Sequence, residues 1–168
     1  MKITHPKGQH YSTPFQFGFW YKPQVIIWEC EFGEDAKYIQ PDEGEQWDWL
    51  KLCGVAFTLN AMHESVMVGW RYIPEGDKFQ FCAYFHVAKG REYSEPLITL
   101  PGGGKVQCKI EIIYDDFPVY HVFLSSGVGS NQYSAFFFHK YKFAREVNAW
   151  FGGTLKAPKK VTFFKKRV

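Results

Sequence analysis

Apolar and polar positions alternate with a period of two through most of the chain. From Lys78 to Val87, Phe79, Phe81, Ala83, Phe85 and Val87 share one face and Gln80, Cys82, Tyr84 and His86 the other. That spacing predicts a strand and fits no helical stripe. Cys108, Ile110, Ile112 and Tyr114 oppose Lys109 and Glu111 in the same way, and Val66, Val68, Trp70 and Tyr72 oppose Ser65, Met67, Gly69 and Arg71. Further strands are expected at about 15–21, 24–32, 52–59, 91–99, 118–125, 133–146 and 160–166. Within 24–32, Val25, Ile27, Glu29 and Glu31 face away from Ile26, Trp28, Cys30 and Phe32. Turn residues at Pro74–Asp77, Ala88–Arg91, Pro101–Gly104 and Asp115–Pro118 suit antiparallel connections. Helix is expected for at most one turn, between Glu45 and Leu50.

Nine or ten short antiparallel strands leave open edges unless they split into two packed sheets or close on themselves. The expected fold is therefore all-β, a two-layer antiparallel β-sandwich of jelly-roll or concanavalin A-like form. An immunoglobulin pattern is disfavoured by the missing Cys…Trp…Cys spacing. One domain over 1–168 accounts for the length, with a polar N-terminal leader (1–14) and a basic C-terminal strand (156–168). The stretch 33–50 is the longest irregular segment, and such loops in compact domains are often functional.

Composition narrows the function classes. Aromatic residues make up 20% of the chain, with 17 Phe, 10 Tyr and 6 Trp, so a substantial core is within reach. The net charge of +3 is too small for a protein built chiefly to hold nucleic acid. No apolar run approaches the roughly 18 residues of a spanning helix, so no membrane association is expected. The polar start, Met1 to Gly8, gives no sign of a signal peptide. Cys30, Cys53, Cys82 and Cys108 form no CxxC pair and lie in apolar runs, which points to buried free thiols.

No catalytic motif stands out, and the chain is expected to be non-enzymatic. His5, His10, His63, His86, His121 and His139 include no HxH or HExxH spacing, so neither a metal nor another cofactor is expected. Hydrogen bonding on the sheet surface accounts for them. Glu29 and Glu31 have the coarse separation of a glycosidase pair, but two acids ending a strand are ordinary. Ser125 to Ser130 contains neither a nucleophile elbow nor a phosphate loop.

Aromatic side chains carry more information. Trp20, Tyr21, Trp47, Trp49, Tyr84 and Tyr120 are more large rings than one thin core needs. With Arg71, Gln80 and His86 they are expected to line the outer face of one sheet as a partner- or ligand-binding surface. A protein neighbour in an assembly or a glycan fits such a face. Lys156, Lys159, Lys160, Lys165, Lys166 and Arg167 make the C-terminal segment a basic edge. That edge discourages sheet-to-sheet pairing and leaves nucleic acid as a less favoured partner.

Three stretches form a recognisable set: Asp48-Trp49-Leu50-Lys51-Leu52-Cys53-Gly54, His63 to Tyr72 with Gly69-Trp70-Arg71-Tyr72, and Trp150-Phe151-Gly152-Gly153-Thr154-Leu155-Lys156-Ala157-Pro158. Over residues 45–165 the chain resembles a family of single-domain lectin-like β-sandwich proteins of gut Bacteroidetes and their phages or mobile elements. Where that family has Ala-Pro-His-Asp, this chain has Ala157-Pro158-Lys159-Lys160, so the His and Asp that would serve as ligands are missing. The resemblance implies a structural protein of a larger assembly, such as a capsid decoration or tail-associated protein, located in a virion or the host cytoplasm. A carbohydrate-binding module using an exposed aromatic sheet face is the alternative reading, and a glycoside-active enzyme the third.

Overall fold

The computed structural model describes residues 1–87, 90–136 and 142–168. Its regular elements are almost all strands: β1 (Lys2–His5), β2 (Phe19–Tyr21), β3 (Val25–Phe32), β4 (Leu50–Ala56), β5 (Ser65–Ile73), β6 (Lys78–Val87) and β7 (Gly90–Tyr93), followed by β8 (Ile98–Pro101), β9 (Gly104–Ile113), β10 (Val119–Ser126), β11 (Gly129–Phe136), β12 (Phe143–Glu146) and β13 (Val161–Arg167). One short helix, α1 (Glu43–Gln46), and a single 3-10 turn at Glu34–Ala36 interrupt the 33–50 stretch. Among the described residues, no helix is long and apolar enough to cross a membrane.

Two antiparallel sheets pack face to face, and the expected two-layer β-sandwich is what forms. The first has the order β1-β13-β3-β9-β10-β11. The second runs β2-β12-β4-β5-β6-β7, with β8 also pairing β6. The chain passes between layers repeatedly, in jelly-roll fashion, so sequence neighbours such as β2 and β3 lie in different sheets. The alternation assigned the inner faces correctly. Ile26, Trp28, Cys30 and Phe32 meet Trp70, Phe79, Phe81 and Phe85 in the interior, where the Phe32 ring lies 4.9 Å from that of Trp70 and 5.0 Å from that of Phe163.

Three boundaries differ from the sequence reading. The leader is not merely polar: Ile3 and His5 alternate inward, and β1 pairs β13 from Lys2↔Phe164 to His5↔Val161. The strand expected at 91–99 divides into β7 and β8, which share β6 as partner. The long strand expected at 133–146 divides into β11 and β12, with 137–141 and the proposed position of His139 outside the described residues. Ala88 and Lys89 of the expected hairpin lie outside them as well.

The Trp150–Pro158 stretch closes the sandwich. Phe151 is fully buried, its N–H donates to His10 O at 2.8 Å and its C=O lies 2.7 Å from His10 Nδ1. Gly152 follows because its backbone presses on that of Trp49, where a Cβ would sit 2.6 Å from the carbonyl oxygen. The Glu45 carboxylate of α1 then accepts from the Thr154 N–H at 3.0 Å and the Leu155 N–H at 3.4 Å.

The four cysteines are free and buried, as expected. Cys30, Cys53 and Cys108 meet between the sheets, and burial holds the Cys53 and Cys82 thiols well above their ordinary range. Iodoacetamide at neutral pH is expected to leave all four unmodified in the native protein and to label all four in urea. Fast native labelling, read by mass, would contradict this packing.

His5 makes the fold acid-sensitive. Its ring is enclosed beside Phe151 and Phe163, and burial lowers its pKa to about 4. The unfolded chain binds the proton near pH 6.5, so stability is complete above that pH and is lost as pH falls from about 6.5 to about 4. The loss from His5 alone is on the order of 3 kcal/mol. The urea midpoint of His5→Phe should fall less over this range than that of the parent; parallel decline would remove His5 as the cause.

Candidate functional site

The strongest unpartnered surface lies at the β2 edge of the second sheet. Residues 15–21 read Phe-Gln-Phe-Gly-Phe-Trp-Tyr, with an aromatic ring at every other position and no charge. The segment runs antiparallel to 142–148. Lys22 N–H donates to Lys142 O at 2.6 Å, Glu146 N–H to Gly18 O at 2.8 Å, and Gln16 exchanges two hydrogen bonds with the Asn148 amide. Even-numbered residues therefore use their backbone groups inward toward β12. By antiparallel alternation, the N–H and C=O of Phe17, Phe19 and Tyr21 face outward, where among the described residues no strand follows.

The side chains follow the same division. Trp20 turns toward the core opposite buried Ala144, and Arg167 lies over its ring at 5.3 Å. The odd positions turn out. Phe15, Phe17, Phe19 and Tyr21 are 74%, 80%, 60% and 61% exposed, and Phe143 of β12 is 53% exposed. Phe143 joins the row, 5.5 Å from the Phe19 ring and 5.1 Å from that of Tyr21. Beside them, Phe19, Phe57, Leu59, Phe143 and Arg145 line a mostly apolar hollow of about 410 Å3.

A buried ionic cluster anchors this edge. Lys165 and Glu146 are only 3% and 6% exposed at their side chains, with 3.3 Å between Nζ and Oε1. Glu146 also accepts from Trp28 Nε1 at 3.1 Å and lies 3.6 Å from Arg167 Nη1. Lys165 donates to Gln16 Oε1 and, at 3.4 Å, to Leu52 O. Gly18 passes directly over the cluster, where a Cβ would meet Arg167 Nη1 at 2.7 Å and Glu146 Oε2 at 2.9 Å. The glycine in the aromatic run is therefore required by close approach, and the edge segment is fixed from beneath.

The residues expected to form a binding face do not form one together. Trp49, Tyr84 and His86 lie on the outer side of the second sheet but are buried with Met67, Cys82 and Val147. The loop at 57–64 covers His86, whose Nδ1 lies 2.8 Å from Ala61 O and 3.3 Å from Ser65 Oγ and whose pKa desolvation lowers to about 4, while the Tyr93 ring stacks on Tyr84 at 6.2 Å. Lys51, also buried here, falls to about 8 for the same reason. His86 is thus not on an open sheet surface, whereas His121 is, bonded to Ser134 Oγ at 2.7 Å. Tyr120 is a further correction, fully buried between the sheets.

Arg71 is held in place, 4.1 Å above the Trp49 ring and 5.5 Å from that of Trp47, donating to Gln80 Oε1 at 2.9 Å and Trp47 O at 2.8 Å. Trp47 is half exposed in that arrangement. Of the expected face, Tyr21 belongs to the exposed aromatic edge and Trp20 to its underside.

The basic edge is corrected in two respects. β13 is not an edge, because β1 covers one side and β3 the other. Lys165 is buried in the ion pair, while Lys156, Lys159, Lys160, Lys166 and Arg167 remain exposed. Among the described residues, no group of three or more His, Cys, Asp or Glu side chains could hold a metal ion.

Sequence reasoning placed a strand at 15–21 but overlooked Phe15, Phe17, Phe19 and Phe143 as a surface. The readable signal was an aromatic alternation without one charged residue. In comparisons with protein-family models, curated proteins and solved structures, the chain matches none.

Proposed function

We propose that this protein is a non-enzymatic structural subunit that assembles through its β2 edge, with a second copy of the same chain as the immediate neighbour. The observation that carries this reading is the row of exposed rings along an edge strand whose outer side has no partner strand among the described residues. At about 200 Å2 per fully exposed aromatic residue, the row presents on the order of 650 Å2. That is above the largest apolar patch of a typical monomer and close to the roughly 800 Å2 that each partner buries in a standard interface. Natural sheet edges are usually guarded by charge, proline or a bulge. Between Pro14 and Lys22 this one carries no charge.

Self-pairing satisfies the edge without conflict. A two-fold axis at Phe19 sets Phe19 opposite its own copy, Phe17 opposite Tyr21 and Lys22 opposite Gln16. The outward backbone groups of 17, 19 and 21 then form ladder hydrogen bonds, and the odd-numbered rings meet across the join. No like charges face one another. A place in a virion, as a capsid decoration or tail-associated subunit, is the setting suggested by the family resemblance, and such settings need surfaces of this kind.

Sedimentation equilibrium over micromolar concentrations tests the reading. A species of twice the chain mass is expected, dissociating on dilution; a monomer throughout would contradict it.

A further inference from the structure

We infer that the outer face of the first sheet carries a saccharide-binding trough, a site separate from the β2 edge. A hollow of about 620 Å3 crosses β13, β3, β9 and β10, within the size range of small-molecule sites. Strand register sets its floor. Lys166 pairs Glu29, Glu29 pairs Gln107 and Gln107 pairs Ser125, so an ammonium, a carboxylate, an amide and a hydroxyl stand in one row across four strands. At about 4.8 Å per strand, the row spans roughly 14 Å, enough for a short run of sugar rings. The next row sets Phe164 beside Glu31 and Glu31 beside Lys105, and Phe164 is 54% exposed.

The chemistry of these two rows selects the ligand. In these rows two carboxylates and two ammonium groups balance, and the Met1 ammonium, which also lines the hollow and donates to Lys165 O at 2.7 Å, adds a single positive charge, too little to select a polyanion. Alternating acceptors and donors beside an exposed aromatic ring suit a neutral polyhydroxylated chain, whose hydroxyls both donate and accept and whose C–H faces pack on a ring. The groups also remain available. Glu31 and Lys105 approach only to 3.9 Å, and among the described residues no hydrogen bond ties the Glu29, Gln107 or Lys166 side chain to the protein itself. The neighbouring row is different: Lys109 is engaged by Glu111 at 3.5 Å and by the Phe123 ring at 4.2 Å.

The test uses the full chain on an array of neutral oligosaccharides of three to six units, covering glucose, xylose, mannose and N-acetylglucosamine chains. Titration calorimetry with the strongest binder follows. Binding is expected, with Glu29→Ala, Gln107→Ala and Phe164→Ala each weakening it about tenfold or more while leaving the urea midpoint unchanged. A Phe19→Lys variant, altered at the other site, should bind the sugar as the parent does. Silence across the array at millimolar sugar, or affinity untouched by all three trough variants, would overturn the assignment. Release of shorter sugars that stops in Glu29→Gln would overturn it too, by making the site hydrolytic.

Discussion

Glu146→Gln is expected to lower the unfolding free energy by about 3–5 kcal/mol, the largest effect of any single exchange considered. The reason is the ion left behind. Glu146 is the buried counter-charge of Lys165 at 3.3 Å and also neutralises Arg167. With the carboxylate gone, the Lys165 ammonium keeps only the neutral acceptors Gln16 Oε1 and Leu52 O. Glutamine retains an oxygen for Trp28 Nε1, so the loss reports mainly the charge. Adding Lys165→Met should recover most of the stability, because an apolar side chain of similar length needs no counter-ion. Urea denaturation with an unchanged slope and a lowered midpoint is the expected record for the single variant. A single variant as stable as the parent would mean that water already screens this pair.

Phe19→Lys is expected to weaken self-association by about 100-fold or more and to change monomer stability by no more than about 0.5 kcal/mol. Phe19 stands at the proposed two-fold axis, so one exchange removes two central rings and places two ammonium groups face to face. Its side chain is largely exposed in the single chain and contacts only Phe143 among the aromatic rings described. The fold therefore has little to lose. Phe164→Lys, on the opposite sheet, serves as the control and should leave association intact. Equal weakening by both variants would indicate nonspecific stickiness in place of a defined edge.

The sheets were readable because period-two alternation is strong where one face meets a packed interior. β3 is the clearest case, with Ile26, Trp28, Cys30 and Phe32 inward and Val25, Glu29 and Glu31 outward. The same rule fell short on β6. Alternation assigned Tyr84 and His86 to the face opposite Phe81 and Phe85, correctly, but it says nothing of a loop covering that face. The 57–64 loop covers His86 and the Tyr93 ring stacks on Tyr84, and a covered outer face reads in sequence like a functional one.

Lys165 misled for a related reason. In sequence it belongs to a run of lysines, yet its partner Glu146 lies on a strand of the other sheet, and only packing joins them. β1 was hidden by its length, since Ile3 and His5 alone mark its inner side. The aromatic edge was legible in principle: four rings at 15, 17, 19 and 21 without a charge are an edge-strand pattern that lacks its usual guards. Attention to tryptophan and tyrosine passed over the phenylalanines that form most of the surface.

Hydrogen exchange at the backbone amides of Phe17, Phe19 and Tyr21, followed as protein concentration rises, reads the proposed join directly. The account predicts exchange that slows with concentration at these three positions, with Trp20 and Lys22 protected at every concentration by their bonds toward β12. Exchange of the three odd-numbered amides at the rate of free backbone, unchanged from the most dilute sample to the most concentrated, would contradict it.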